Sequence, residues 1–234
     1  MTNDGGRAIV APMAPEPIAI PIAAGAQVSG LWLAPPGAKA ALLLAHGAGV
    51  GMTHRSMAAI ADGLAARQVA SLRYQFPYME RGSRRVDPPA IAHAAVRAAA
   101  AEARVRAADL PLFAGGRSFG ARMTSQAQAE APLARVRGLV FFAFPLHPAG
   151  KPGTERAAHL GAVQVPMLFL QGTRDALAEL RLLERTVAGL GGRATLVLAA
   201  EADHAFHAPK SSGRTDDAVL AELLDAAAIW MARG

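Results

Sequence analysis

Apolar residues in this chain gather into short runs of about strand length, and between them lie stretches in which apolar positions recur every three or four residues, the signature of amphipathic helices. Ile18 to Ala23 and Val28 to Ala34 flank Gly25 and predict an initial antiparallel pair of strands. Ala40 to Ala45 reads as a buried strand, and Thr53 to Arg67 as a helix with Thr53 or His54 near its start. Val69 to Tyr74 is the next strand. Pro88-Pro89 opens an alanine-rich helix to about Ala107, since proline suits a first helical turn. Leu110 to Ala114, Gly138 to Phe144, Met167 to Gln171 and Thr195 to Ala199 are further strand-sized runs. Helices are expected at Ala121 to Glu130, Ala176 to Leu190 and Asp216 to Ala232.

Strands separated by helices predict a mainly parallel sheet with helices on both faces. Neither a repeat nor a low-complexity linker divides the chain, so residues 1–234 are expected to form a single α/β domain, with 1–16 a flexible N-terminal segment. The connection from Phe144 to Pro166 carries Pro145, Pro148, Gly150, Pro152 and Gly153 and only one helical hint, Glu155 to Leu160. No large lid domain fits there, which predicts an open site covered by short loops.

Within this pattern one segment carries chemistry. Gly116-Arg117-Ser118-Phe119-Gly120 is a G-x-S-x-G set placed directly after a strand-like run and before a helix. That context predicts a sharp strand-to-helix turn that holds the serine in a strained backbone conformation with its hydroxyl exposed. Gly116 and Gly120 lack side chains that would clash where the helix returns against the strand. A serine hydroxyl is a poor nucleophile until a base removes its proton, and the base needs an acid to orient it. Asp175 lies just past the strand ending near Gln171, and His204 just past the strand ending near Ala199, so both are expected on loops at the serine's sheet edge. Asp175 also suits a helix cap, and Asp203 is a rival acid whose adjacency to His204 fits loop shaping better. His207 is a rival base, expected instead at the rim of the site as a substrate contact. His93 and His159 fall in helices and are expected to have packing or surface roles.

Acyl chemistry at Ser118 also needs donors for a developing oxyanion. The backbone N–H of Phe119, next to the serine, is one candidate. The other comes from His46-Gly47-Ala48-Gly49, the glycine-rich turn after the strand Ala40 to Ala45; Ala48 is the first choice and Gly49 the alternative. His46 precedes the tip of that turn and is expected to anchor it. This turn lacks the phosphate-binding loop and dinucleotide patterns.

With these motifs in the order Ser118, Asp175, His204, the chain resembles the α/β-hydrolase superfamily over about residues 28 to 232, and its compactness is similar to dienelactone-hydrolase-like members. The stretch from Arg73 to Glu80 and that from Gly115 to Arg122 resemble a smaller subgroup that includes bacterial hydrolases, testis-expressed homologues and a subunit of a histone acetyltransferase complex. The resemblance implies a catalytic Ser118, Asp175 and His204 but no particular substrate; together with the residues it leads to the expectation of a serine hydrolase acting on a small-molecule acyl substrate, with no metal or organic cofactor. Dienelactone hydrolases use a cysteine nucleophile, and this chain has no cysteine. The resemblance to the acetyltransferase-complex subunit also raises a different class of reading, a hydrolase-shaped interaction protein without turnover.

Phe76 to Arg81 follows a strand and should approach the same edge, where Tyr78 would donate a hydrogen bond to substrate and Glu80 or Arg81 would meet a polar substrate end; loop packing and a surface ion pair are the alternative. Arg117 is expected to be structural and to pair with a carboxylate near the turn. Arg122, four residues past the serine, is expected to point away from it.

The remaining composition narrows the classes. Hydrophobic content of 52% against 18% charged residues excludes a disordered chain, and no apolar run is long enough to cross a bilayer. The net charge of +6, mostly arginine, is scattered and not interleaved with aromatics, which argues against nucleic acid as a partner and leaves attraction of anionic substrates open. Met1 to Arg7 followed by proline-rich sequence lacks the pattern of an export signal, so a cytoplasmic location is expected. Whether the protein is a monomer or a homodimer stays undecided at this level.

Overall fold

The computed structural model describes residues 13–22 and 25–234. The chain runs β1 (Glu16–Pro21), β2 (Gln27–Leu33), β3 (Ala40–Ala45), α1 (Arg55–Ala65), β4 (Val69–Tyr74), α2 (Pro77–Glu80), α3 (Pro89–Arg106), β5 (Leu112–Arg117), α4 (Phe119–Glu130) and β6 (Val136–Phe142). After a 3₁₀ segment at Glu155–Ala162 come β7 (Met167–Gly172), α5 (Leu180–Gly189), β8 (Ala194–Ala199) and α6 (Asp216–Arg233). The strands form one eight-stranded sheet in the order β1-β2-β4-β3-β5-β6-β7-β8. Only the β1–β2 and β2–β4 pairings are antiparallel; the other five are parallel. This is the mainly parallel α/β architecture that the sequence predicts, and among the described residues no large lid interrupts it. Part of the expected N-terminal segment, residues 1–12, and Ala23 lie outside the described residues, while Glu16 already begins β1.

The central parallel strands are mostly apolar because both of their faces are covered. Every residue of β3 and β7 is buried. Leu43, Ala45, Leu72 and Phe169 pack on one face with Val96, Ala99, Met123 and Leu183 from α3, α4 and α5. Leu42, Leu44 and Leu168 pack on the other with Met57, Ile60 and Leu64 of α1 and Val219 and Leu223 of α6. Each such aliphatic side chain contributes about 1.5–3 kcal/mol on burial, so these two layers supply most of the driving force. Among the described residues no helix is long and apolar enough to cross a membrane.

Element boundaries depart from the sequence pattern where hydrogen bonds outside an element decide them. The fifth strand runs on to Arg117, because Gly115 and Gly116 pair with Val140 and Phe141 of β6 despite lacking side chains. The helix expected from Ala176 starts only at Leu180: the Asp175 side chain takes the N–H of Leu177, and His147 takes that of Glu179. Pro77 to Glu80, read as loop, forms one helical turn with proline at its first position.

Parallel register aligns the carboxyl ends of the central strands. Ala45 lies opposite Gly116, Phe142 opposite Leu170, and Gly172 opposite Ala199. The segments that follow β3, β5, β7 and β8 therefore leave the sheet along one edge, the place where open α/β sheets bind ligands.

Candidate active site

Ser118 sits between the last residue of β5 and the first of α4 with φ 52° and ψ −112°, a conformation that costs a non-glycine residue on the order of 1–3 kcal/mol. The turn is held on both sides: the Ser118 N–H donates to the Phe142 carbonyl at 3.0 Å, and the Ser118 carbonyl accepts from Arg122 N at 3.2 Å. The flanking glycines are required by close approach to β3, the neighbouring strand, rather than to β5 itself. A methyl on Gly120 would lie 2.5 Å from the Ala45 carbonyl oxygen and 2.6 Å from that of His46, and one on Gly116 would lie 2.8 Å from the Ala45 side chain.

From the tip of this turn the Ser118 Oγ is 2.8 Å from His204 Nε2, and His204 Nδ1 is 2.7 Å from Asp175 Oδ2. Asp175 is buried, while His204 and Ser118 keep partial access to solvent. Both oxygens of Asp175 are occupied: Oδ1 accepts from Leu177 N at 2.7 Å, and Oδ2 accepts from Gln171 Nε2 at 2.5 Å as well as from His204. A carboxylate so placed fixes the imidazole with its proton on Nδ1, leaving the Nε2 lone pair to accept the serine proton. Gly172 makes this meeting possible, since a methyl there would lie 2.7 Å from the Asp203 carbonyl oxygen on the histidine loop. Asp203 shapes that loop, accepting from Ala205 N at 2.7 Å and His207 N at 3.0 Å, and Asp175 is not the cap of α5, a position held by Glu179.

The Phe119 amide opens α4, where a helix leaves its first N–H groups without intrahelical partners. Ala48 and Gly49 form the exposed tip of the turn after β3, with Gly49 at φ +73°, in the left-handed region open to glycine. The amides of Phe119 and Ala48 donate to no other group among the described residues. His46 anchors the turn: its Nδ1 donates to the Gly47 carbonyl at 2.8 Å and its Nε2 accepts from Phe76 N at 3.0 Å. Burial lowers its pKa to about 4, so the ring is neutral.

Several residues expected to face substrate are placed otherwise. Tyr78 is wholly buried against His46, Phe76 and Phe119, with its N–H donating to Asp87, so it is a wall behind the turn and not an exposed contact. His207 is exposed and bonded to Asp216 at 2.9 Å. Glu80 accepts from Ser29 N, and Arg81 pairs with Asp87 at 2.6 Å, the packing alternative for both. His93 pairs with Glu130 at 2.9 Å, and His159 meets the Ser125 hydroxyl at 2.7 Å.

Among the described residues Arg117 makes no ion pair; its Nη2 donates to the His204 carbonyl at 3.1 Å, where Asp175 and Asp203 favour its charge against burial. Arg122 is half-buried between α4 and the 3₁₀ segment, with its Nε sealed from solvent and unpartnered. Gln171 and His147 carried no signal in the sequence, because their partners are set by how loops from separate strands converge.

Among the described residues no group of three or more histidine or carboxylate side chains is arranged to hold a metal ion. Superposition on solved structures shows how widely the fold is shared. The chain is similar to a dienelactone hydrolase from Anabaena variabilis (18% identity, TM-score 0.73, 95% of this chain and 98% of the other). It is also similar to an α/β serine hydrolase without lid from Xanthomonas campestris (20%, 0.72, 94% and 96%). An esterase domain from Rhodothermus marinus aligns over 94% of this chain and 99% of its own, at 15% identity and a TM-score of 0.71. At these identities the superpositions establish the fold, and the sequence match to the α/β hydrolase domain model over residues 38–232 establishes descent. With the sheet order, the strained serine turn and the matched span in agreement, the chain belongs to the α/β-hydrolase domain family.

Proposed function

We propose that this protein is a serine hydrolase that cleaves an ester or related acyl bond of a small molecule through an acyl-enzyme. The observation that carries the reading is the continuous hydrogen-bonded line from Ser118 Oγ through His204 to Asp175, with separations of 2.8 and 2.7 Å. His204 takes the Ser118 proton as the oxygen attacks the carbonyl carbon, and Asp175 stabilises the imidazolium that forms. The oxyanion is received by the amides of Phe119 and Ala48, with Gly49 adjacent. As the tetrahedral intermediate collapses, His204 gives its proton to the leaving alcohol. Water then enters, is deprotonated by the same ring, and releases the acid.

Hydrolase and esterase names among the fold's relatives support the class. Partners more than about 4 Å apart would favour the interaction-protein alternative, and no distance in the Ser118 line does so.

The test is labelling by a fluorophosphonate probe together with turnover of para-nitrophenyl esters of increasing chain length. Wild-type protein should be labelled and should cleave the shorter esters, and Ser118→Ala should do neither. Absence of labelling beside an active control hydrolase would remove the reading.

A further inference from the structure

The chain leaves β3 and β4 side by side, since Ala45 lies opposite Tyr74 in parallel register. The turn that offers the Ala48 amide follows the first strand, and the segment from Gln75 to Tyr78 follows the second. Three hydrogen bonds cross between them. Phe76 N donates to His46 Nε2 at 3.0 Å, at the start of the turn. At its end, Met52 N donates to Gln75 Oε1 at 2.9 Å, and the Met52 carbonyl accepts from Arg73 Nη1 at 3.1 Å. Both main-chain groups of Met52 are therefore held by side chains of β4 and its exit. The main chain of Gln75 is itself fixed to β2 by a 2.8 Å bond to the Ser29 carbonyl.

Between these anchors the turn holds itself weakly. Its internal bond, from Val50 N to the Gly47 carbonyl, is 3.5 Å long, and Ala48 and Gly49 at the tip are exposed. Gly51 lets the Gln75 amide come close, since a methyl there would lie 3.0 Å from its Oε1. The same segment backs the other donor. The Phe119 ring stands edge-on to Phe76 at 5.2 Å and to Tyr78 at 6.2 Å, and both of those rings also pack on His46. An oxyanion donor works only when its N–H is already aimed where the charge appears. A backbone turn with a weakly held tip meets that condition only when its two ends are fixed.

We propose that Gln75 is a positioning residue of the reaction: with Arg73 on the other main-chain group of Met52, it fixes the oxyanion turn so that the Ala48 amide meets the anion formed at Ser118. This rests on the reading of Ser118 as nucleophile. It gives the stretch from Arg73 to Tyr78 a single task, to brace both oxyanion donors from behind, and its members act through Met52, His46 and Phe119 and not on the substrate.

The experiment compares wild type with Gln75→Met, which keeps the length of the side chain and removes the acceptor, and with Gln75→Glu, which keeps an acceptor oxygen for Met52 N. Removing a whole oxyanion donor costs on the order of a hundredfold or more in kcat, so a donor displaced and not lost costs less. Gln75→Met should lower kcat for para-nitrophenyl esters on the order of tenfold with KM within about twofold, and Gln75→Glu should recover most of the loss. An aryl trifluoromethyl ketone, whose adduct with Ser118 carries the oxyanion, should bind Gln75→Met more weakly by the factor through which kcat/KM falls, while the pH profile that reports His204 keeps its midpoint. Loss of folded protein would lower kcat without touching the inhibitor's affinity. Amide hydrogen exchange over residues 47–51, read by mass spectrometry, should quicken in Gln75→Met while the rest of the sheet edge keeps its rate. An unchanged kcat, a fall in kcat at constant inhibitor affinity, an equal fall in Gln75→Glu, or unchanged exchange in the turn would each overturn the proposal. Wild type that cleaves no ester would remove the reading of Ser118 instead, and quickened exchange in Gln75→Met would then still support the brace on the turn.

Discussion

Arg117 donates from its guanidinium to the main-chain carbonyl of His204 across 3.1 Å, joining the residue just before the serine to the residue that bonds the serine oxygen. Strand β5 ends at Arg117, and the histidine loop leaves the sheet three strands away, after β8. This bond is a direct strut between them, and Asp175 supports it by favouring the buried charge.

Arg117→Gln should therefore lower kcat on the order of tenfold while leaving KM within about twofold, since a charge-assisted hydrogen bond that positions the base is lost without touching the binding surface. Stopped-flow ester hydrolysis measures both, and a matching fall in the rate of fluorophosphonate labelling would locate the effect at Ser118.

Gln171 offers a separation of activity from stability. Its Nε2 donates to Asp175 while its Oε1 is buried without a partner. Gln171→Leu removes the useful donor and the unsatisfied acceptor together. Turnover should fall several-fold, and stability to urea should hold within about 1 kcal/mol or rise.

Two glycines at the edge should respond in opposite ways to alanine. Gly120→Ala drives a methyl against two main-chain carbonyls that cannot yield, and unfolding free energy should drop by about 3 kcal/mol or more. At Gly49 nothing stands within 4 Å, and only the backbone angle resists, so Gly49→Ala should cost on the order of 1 kcal/mol. The same change shifts the Ala48 amide, so esterase activity should fall far more than stability. Thermal melts beside kinetics separate the two effects.

Acid should weaken the fold through His46. Its folded pKa of about 4 lies below the ordinary 6.5, so between those values the unfolded chain binds a proton that the folded chain refuses. Stability rises with pH across that window and is independent of this group above it. The full effect is on the order of 3 kcal/mol. His159, also lowered to about 4 by burial and by Arg122, adds in the same direction. Urea midpoints at several pH values should show the slope, and His46→Asn should make it shallower.

Much of this architecture was legible in the chain because burial imposes periodicity. Strands covered on both faces, such as Ala40 to Ala45 and Met167 to Leu170, must be apolar at every position, and the helices between them must repeat at three and four. The candidate site was legible for a related reason: Ser118, Asp175 and His204 each follow a strand, and parallel strands end along one edge, so sequence position alone put them on neighbouring loops. The strained turn at Ser118 was legible through its glycines, although the strand that demands those glycines is β3, which no local pattern names.

Side-chain direction was settled elsewhere. Tyr78 and His207 stand on segments that reach the site's neighbourhood, yet one is folded into an aromatic wall and the other is drawn out by Asp216, because packing and pairing partners come from distant parts of the chain. Arg117, Gln171 and Gln75 acquire their meaning in the same way. The sequence by itself determined which residues are buried, which turns are possible and in what order the chemistry is presented, since those follow from local polarity and backbone sterics. Tertiary structure alone decided which polar groups find partners and which, like the Arg122 Nε, find none among the described residues, since a hydrogen bond depends on positions in space that no neighbouring residue encodes.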